Sequence, residues 1–328
     1  MRVEERRGGI YLPDADLHLD PRSRVPLALV SHAHGDHIAR HDRVLATPET
    51  LALYRHRLGS RREGDGLAYG RPVRLGEATV TLHPAGHCLG SAQVLVEWNG
   101  QRLVYTGDFK LRPNPTAGTA PIIPCDILIT ECTFGEPWYR FPPHDEVRAQ
   151  IVEFCLETIA AGAVPVLLAY SLGKAQELIW LVGEAGLETV LHRAIWGVTE
   201  VYRELGVRFP AAYHLFSHQL AEGRVLITPP GTQRQPPASS LRRRVAVATG
   251  WALHPAGARF HRGTDAQFAF SDHADFDELV RYAAECGARR VYTVHGERRL
   301  AAHLRSLGVD ARCLADEPDP AQPALFEP

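Results

Sequence analysis

The chain has 328 residues, of which 45% are hydrophobic and 23% are charged, an ordinary balance for a globular protein of one or two domains. A formal net charge of −2 excludes a strongly basic nucleic-acid binder of the histone type. The six cysteines include no Cys-x-x-Cys pair, which argues against a zinc ribbon and a disulfide framework. We find no secretory signal core and no apolar run of about eighteen residues, so a reduced, cytoplasmic protein without a membrane partner is expected.

An apolar run from Val25 to Val30 ends in the cluster His32, His34, Asp36 and His37. The run predicts a buried strand, and imidazole and carboxylate are ligands that Zn²⁺, Mn²⁺ and Fe²⁺ accept. In an extended backbone His32 and His34 point to the same side. The glycine that follows them permits a sharp turn, which would bring Asp36 and His37 to a second ion. The stretch therefore predicts the floor of a metal site.

Residues 8–20 alternate apolar and polar side chains, which predicts a short strand or hairpin that ends in Asp20. Two roles are open for this carboxylate. It can hold a ligand histidine in one tautomer from the second coordination shell, or it can be an exposed turn residue before Pro21.

A helix is predicted to begin at Thr47-Pro48, with Thr47 as its N-cap and proline in its first turn. Several cations follow on or just after this helix. They face either phosphates or solvent: Arg55, Arg57, Arg61 and Arg62.

Further apolar segments each lead to a polar residue that suits a metal or acid–base site. The segment 79–82 runs towards His87, and Asn99-Gly100 is a hairpin turn between strands 92–98 and 101–106. The remaining strand ends are Asp108 after 101–106, Glu131 after 126–130, and His295 after 290–294. The pattern predicts strand ends that converge at one edge of a sheet in a layered α/β fold.

Between these segments the pattern changes to that of a parallel sheet. A helix is predicted over 145–161, followed by the continuous apolar strand 164–170, a helix over 175–186, and strands at 224–228 and 245–249. Because this stretch lies between the first candidate ligands and His295, we expect it to form a domain inserted into the first one.

Two turns in the second half carry candidate functional residues. Ser171, Gly173 and Lys174 lie at a strand-to-helix turn whose amides would suit a phosphate, although a solvated helix start is the alternative. Near the next predicted helix, 276–286, either Asp272 or Asp275 is expected to act as N-cap, which leaves His273 free.

This constellation of candidate ligands resembles the two-metal site of the metallo-β-lactamase fold. The resemblance implies that one metal ion is held by His32, His34 and His87. It implies that the other is held by Asp36, His37 and His295, with Asp108 bridging the two. It also implies a metallo-β-lactamase αββα sandwich built from residues 1–140 and 268–328, with an inserted β-CASP parallel α/β domain at 141–267.

Three further motifs resemble those of the β-CASP nucleases, a family that includes RNase J and Artemis. They are Glu131 in Thr-Glu-Cys-Thr-Phe-Gly, His273 in Ser-Asp-His-Ala-Asp, and His295 in Val-His-Gly-Glu. The resemblance implies that His273 protonates the leaving oxygen and that Glu131 orients His273. It places Asp36 and Asp108 beside them as catalytic residues. The sequences of the motifs are most similar to those of a compact bacterial branch, described as ligase-associated DNA exonucleases or as mRNA 3′-end processing factors.

The resemblance therefore predicts a two-metal-dependent nuclease. We expect a DNA exonuclease acting on single-stranded ends in repair, with a DNA ligase and a helicase as functional partners. Zn²⁺ is the expected metal, and Mn²⁺ and Fe²⁺ are alternatives. A histidine at the position of His295 is typical of RNA-directed relatives, whereas a chain without the C-terminal RNA-binding extensions of RNase J favours DNA. An RNA-processing nuclease is thus the second hypothesis, and a small-molecule metallo-hydrolase is the third.

Overall fold

The computed structural model describes residues 1–59, 61, 63–232, 241–256, 263–296 and 298–316. It shows a mixed α/β protein in which the described residues form three sheets. The strands of the first half are β1 (Glu4–Arg6), β2 (Gly9–Leu12), β3 (Leu17–Leu19), β4 (Leu27–Leu29), β5 (Arg43–Ala46), β6 (Glu63–Gly66), β7 (Val73–Leu75), β8 (Ala78–Pro84), β9 (Ala92–Trp98), β10 (Gln101–Tyr105) and β11 (Ile127–Glu131). Those of the second half are β12 (Val164–Leu168), β13 (Thr189–Leu191), β14 (Tyr213–Leu215), β15 (Val225–Thr228), β16 (Arg243–Ala248), β17 (Ala266–Phe268), β18 (Arg290–Val294) and β19 (Asp310–Cys313).

Six α-helices pack against these sheets in the part of the chain that is described. They are α1 (Pro48–Leu58), α2 (His144–Ala160), α3 (Lys174–Glu184), α4 (Arg193–Glu204), α5 (Phe276–Glu285) and α6 (Arg299–Ser306). Among the described residues no helix has the length and apolar character needed to cross a membrane.

The first sheet has the strand order β1-β2-β3-β4-β5-β6, and the second has the order β19-β18-β11-β10-β9-β8-β7. Each sheet joins an antiparallel part to a parallel part: β3 to β6 are parallel in the first sheet, and β10, β11, β18 and β19 are parallel in the second. The predicted hairpin at Asn99-Gly100 is confirmed, since both residues have positive φ and connect β9 to β10.

The hydrophobic cores show how the first two sheets are stacked. One core lies between them and contains Leu29 of the first sheet and Val94 and Ile129 of the second. A second core joins the far face of the second sheet to α5 and α6, and a third joins the far face of the first sheet to α1. The order of layers is therefore helix, sheet, sheet, helix.

The third sheet, β14-β13-β15-β12-β16-β17, is parallel throughout. Its strand β12 is buried along its whole length, as the continuous apolar run predicted, and α2, α3 and β15 share one of its cores. The turn after β12 brings residues 170–174 against the first two sheets, so this sheet also contributes to the site below.

The predicted strand ends at His87, Asp108, Glu131 and His295 do share one sheet, since β8, β10, β11 and β18 all lie in the second sheet. The strand that precedes His32, β4, lies in the first sheet. The strands β13 and β14 were not predicted, because three residues carry too few apolar positions to form a pattern, and the helix α4 between them was not predicted either. Arg62 lies outside the described residues.

Candidate metal centre

Four candidate ligands meet where the first two sheets face each other. His32, His34, His87 and Asp108 each offer a ligand atom, and these atoms all lie within 4.8 Å of one another. The ends of β4, β8 and β10 supply them. The carbonyl of Ser31 accepts the amide of Ala92 at 2.9 Å, which ties the end of β4 to the second sheet and fixes this meeting point.

The outward hydrogen bonds of three histidines determine which ring nitrogen carries the hydrogen. His34 Nε2 lies 3.1 Å from the carbonyl oxygen of Leu172, and His87 Nδ1 lies 2.9 Å from that of Asp272. A carbonyl oxygen can only accept, so both nitrogens donate. His32 Nδ1 lies 3.0 Å from Ser31 Oγ, whose own hydrogen points to Asp20, so this nitrogen also donates.

The nitrogens left facing inward therefore carry lone pairs. His34 Nδ1 is 3.1 Å from His32 Nε2 and 2.9 Å from His87 Nε2, and Asp108 Oδ2 is 3.4 Å from His32 Nε2. Burial lowers the pKa of His32 well below its ordinary value and that of His87 to about 3, so these rings are neutral at neutral pH. Close acceptors without a shared hydrogen repel one another unless a cation lies between them. The donor set fits a divalent metal ion such as Zn²⁺.

His37 lies on the other side of Asp108 and has a carboxylate behind it. Its Nδ1 is 2.8 Å from Asp20 Oδ2, and its Nε2 is 3.3 Å from Asp108 Oδ2. Burial opposes its protonation, but the carboxylates of Asp108 and Asp20 outweigh burial and raise the pKa of His37 well above its ordinary value. A second cation bound between this nitrogen and Asp108 would have to displace the Nε2 proton.

Asp20 is 2% exposed, which rules out the alternative of an exposed turn residue. It accepts the amide of Ser31 at 2.7 Å and the hydroxyl of Tyr105 at 2.8 Å, in addition to its contact with His37. One carboxylate thereby supports His37 directly and His32 through the Ser31 hydroxyl. This is the arrangement expected of a residue that orients metal ligands.

Asp36 and His295 lie at the edge of this cluster. The Asp36 side chain is 66% exposed, and its Oδ2 is 3.9 Å from His37 Nε2. The rings of His295 and His37 are 4.8 Å apart, and Arg22 Nη2 lies 3.2 Å from His295 Nδ1. Because a guanidinium can only donate, His295 carries its hydrogen on Nε2. Across the described residues, neither side chain belongs to a close group of three or more ligand atoms.

His273 and Glu131 form a pair beside the cluster. His273 Nδ1 is 2.9 Å from Glu131 Oε2, and Glu131 Oε1 accepts the amide of Phe109 at 2.8 Å. Burial opposes protonation of His273, but the carboxylates of Glu131 and Asp108 raise its pKa to about 9. Its ring centroid is 4.5 Å from that of His87, so a histidine whose raised pKa favours the protonated form lies next to the candidate ligands.

The predicted N-cap of α5 is Asp275, whose side chain accepts the amide of Glu278 while Glu278 bonds back to the amide of Asp275. Asp272 is thus released from capping, and its carboxylate lies 3.1 Å from Lys174 Nζ. Both side chains are buried, so this is an internal ion pair.

The turn at Ser171, Gly173 and Lys174 differs from the predicted phosphate cradle. The amide of Gly173 donates to the side chain of Gln176 at 2.9 Å, and Lys174 is held by Asp272. These contacts favour a structural role for Gly173 and Lys174. Ser171 and Lys174 both line the cleft above the cluster.

That cleft has a volume of about 640 Å³ and contains residues that the sequence did not single out as a set. The guanidinium groups of Arg22 and Arg57 line it, and Arg57 is fixed by a 2.9 Å bond to the carbonyl of Ala33. Ser31 precedes His32 in the sequence, and this adjacency could have suggested that its hydroxyl supports the histidine. The Leu172 carbonyl carries no sequence signal, because every residue has one.

Comparisons with known proteins find similarity to metallo-hydrolases and nucleases. The profile of a family described as a Zn-dependent metallo-hydrolase RNA specificity domain matches residues 266–313, which include His273 and His295. A protein of Opitutus terrae named "Probable DNA ligase" is 41% identical over 317 residues, which cover 94% of this chain and 31% of that protein. A ribonuclease of Thermus thermophilus is 27% identical over 199 residues, which cover 51% of this chain and 45% of that enzyme.

A crystal structure of a protein of unknown function from Enterococcus faecalis superimposes with a TM-score of 0.57 and 14% identity, covering 82% of this chain and 75% of that one. This likeness concerns the fold alone. The fold and the matches together support the assignment of this protein to the metallo-hydrolases. These matches support the resemblance to the β-CASP nucleases of the metallo-β-lactamase fold. It spans less than half the length of the two curated relatives described above.

Proposed function

We propose that this protein is a metal-dependent nuclease that hydrolyses phosphodiester bonds at DNA ends. The observation that carries the proposal is the convergence of three acceptor nitrogens and Asp108 in one cleft with the His273 imidazolium. The helix–sheet–sheet–helix order supports an αββα sandwich formed by residues 1–140 and 268–328, with residues 141–267 as the inserted β-CASP domain.

In this proposal His32, His34, His87 and Asp108 hold one divalent ion. His37 and Asp108 hold a second, to which Asp36 and His295 would have to move closer. A bound divalent ion supplies Lewis-acid activation of water and neutralises charge on a phosphate. Zn²⁺ suits this histidine-rich set, and Mn²⁺ and Fe²⁺ share its ligand preferences.

The chain's own acid–base group is His273. Its Nδ1 is held by Glu131, so Nε2 is the nitrogen that can give a proton to an oxygen leaving a phosphate in the cleft. A departing alkoxide requires such a proton, and the raised pKa of His273 keeps the ring protonated at neutral pH. Arg22 and Arg57 line the same cleft and offer positive charge to the phosphate backbone.

The choice between DNA and RNA rests on two opposed observations. The 41% identity to a "Probable DNA ligase" over 94% of this chain favours DNA and a functional link to a ligase. The profile described as an RNA specificity domain favours RNA, and it covers only residues 266–313. We propose DNA, and the RNA-processing nuclease is the second candidate.

The test compares end-labelled single-stranded DNA and RNA of the same sequence, incubated with the purified chain and Zn²⁺ or Mn²⁺. We expect stepwise shortening of the DNA with the RNA spared, and no cleavage by a His34→Ala variant. Preferred cleavage of the RNA would show that the protein is an RNA-processing nuclease, the second candidate. If neither strand is cut by protein that holds metal, the nuclease proposal is wrong.

A further inference from the structure

A row of aromatic rings leads outward from His273 into the cleft. The ring of Phe134 lies 6.0 Å from His273 in an edge-to-face arrangement, and the indole of Trp251 lies 5.0 Å from Phe134. Phe134 is 2% exposed, whereas Trp251 is 38% exposed, and both line the cleft. The row therefore begins at the proposed proton donor and ends in an indole that is open to solvent.

The position of Trp251 is fixed from behind. Its amide is capped by the Thr249 side chain at 3.3 Å, and its indole meets Tyr139 at a centroid distance of 5.6 Å. Gly250 lets Phe134 approach, because a Cβ at this position would lie 2.3 Å from the Phe134 ring. The indole is thus a rigid surface, which costs little conformational entropy when a flat ligand binds to it.

The cleft has two kinds of surface that together suit one ligand. Arg22 and Arg57 offer positive charge, and Trp251 offers an exposed aromatic ring, with Tyr170 as a second ring that is 57% exposed. A charged track beside aromatic platforms is the combination that binds single-stranded nucleic acid, because every base has a flat face to stack. A base within a duplex already has both faces covered by its neighbours.

We propose that Trp251 stacks on an unpaired base of the substrate, next to the phosphate that His273 serves. This inference rests on the proposed nuclease function and deepens it, since it makes the protein selective for single-stranded ends. The partner of Trp251 is the base of the nucleotide on the leaving-group side, because the aromatic row starts at His273.

The experiment measures binding to phosphorothioate-linked single-stranded DNA, which resists cleavage, with metal-loaded protein. One abasic nucleotide is moved through the oligonucleotide position by position. We expect one position at which loss of the base weakens binding of the wild type roughly tenfold. In Trp251→Ala, binding of the intact strand should fall by a similar factor, and the abasic position should have no further effect. Trp251→Phe should keep part of the effect.

The matched control is Trp138→Ala. Trp138 is also 38% exposed and packs near Tyr139, but it does not line the cleft. The Trp138→Ala variant should bind the intact oligonucleotide as tightly as the wild type does, and the abasic position should weaken its binding by the same factor. Equal losses in both tryptophan variants, or an unchanged abasic effect in Trp251→Ala, would overturn the stacking proposal. If Trp251→Ala behaves as the wild type while His273→Ala abolishes cleavage, stacking is wrong and the nuclease proposal stands. A wild type that binds no oligonucleotide contradicts both.

Discussion

At the scale of single residues, the site is organised by hydrogen bonds that point away from it. His32, His34 and His87 each donate a hydrogen bond from one ring nitrogen to an oxygen outside the cluster. The other ring nitrogen is left as an acceptor inside it. Asp20 is important for the same reason, because it supports ligand histidines from the side that faces away from the cluster. It accepts from His37, Ser31 and Tyr105, so its two oxygens define the orientation of the rings in front of it.

Replacing Asp20 by Asn should weaken metal binding roughly 10- to 100-fold, because an amide cannot accept from all of its present donors. Competition with a chromophoric chelator measures this affinity. Asp65→Asn is the matched control, since Asp65 forms an exposed ion pair with Arg43. An Asp20→Asn variant that binds metal as tightly as the wild type would remove Asp20 from the site.

The pair of His273 and Glu131 predicts a pH dependence. His273 has a pKa raised to about 9, so its acid form is present below that pH and is lost as the pH rises through it. We expect kcat/KM for cleavage to fall on the alkaline side near pH 9. Glu131→Gln removes the largest influence that raises this pKa, so the fall should move to lower pH. An alkaline limb that stays in place in Glu131→Gln would show that His273 is not the titrating acid.

At the scale of elements, the third sheet is attached to the other two through buried polar contacts. Leu172 bonds to His34, Lys174 pairs with Asp272, and Lys110 after β10 pairs with Glu177 of α3. The last pair has exposures of 0% and 2% for its two side chains. Residues next to the third sheet therefore take part in building the site.

Replacing Lys110 by Met should destabilise the protein by about 3–5 kcal/mol, because it leaves the Glu177 carboxylate buried beside only His144. Urea unfolding measures this loss. Arg148→Met is the control: Arg148 of α2 pairs with Glu184 of α3, the helix that also carries Glu177, but the two side chains are 30% and 45% exposed. The loss of unfolding free energy in Arg148→Met should stay below about 1 kcal/mol. Similar losses in the two variants would contradict the account of this junction.

Sequence patterns predicted the strands and helices in which apolar residues recur regularly over many positions. The β9–β10 hairpin, β12 and α5 were found within a few residues, and so was the His32–His37 cluster. Asp20 was one predicted support of a ligand histidine, and it does contact His37. Two other contacts of the site were not predicted. The contact between His34 and Leu172 joins residues 138 positions apart through a backbone carbonyl, and the role of Arg22 at His295 depends on how two distant loops pack. Such contacts arise from tertiary packing and leave no local pattern.

At the scale of the whole molecule, the candidate metal centre lies at the junction of all three sheets. The first sheet supplies His32 and His37, the second supplies His87 and Asp108, and the turn after β12 supports His34. An ion bound there would hold the layers together. Without it, acceptor nitrogens about 3 Å apart work against the folded state.

Metal should therefore stabilise the fold. At a free metal concentration a thousand times Kd, the gain in unfolding free energy is about 4 kcal/mol. We expect Tm to fall on addition of a chelator and to recover with Zn²⁺ or Mn²⁺, as followed by calorimetry. His34→Ala should lose most of this response. An unchanged Tm in the chelated wild type would contradict a metal centre at the sheet junction.

One titration tests whether this cluster is the metal centre of a nuclease. Protein stripped of metal is supplied with increasing Zn²⁺ or Mn²⁺, and cleavage of labelled single-stranded DNA is measured against the metal bound per chain. We expect no cleavage without metal, and cleavage that rises and saturates as the centre fills to about two ions per chain. Cleavage by the stripped protein, or none by the loaded protein on DNA or RNA, would contradict it.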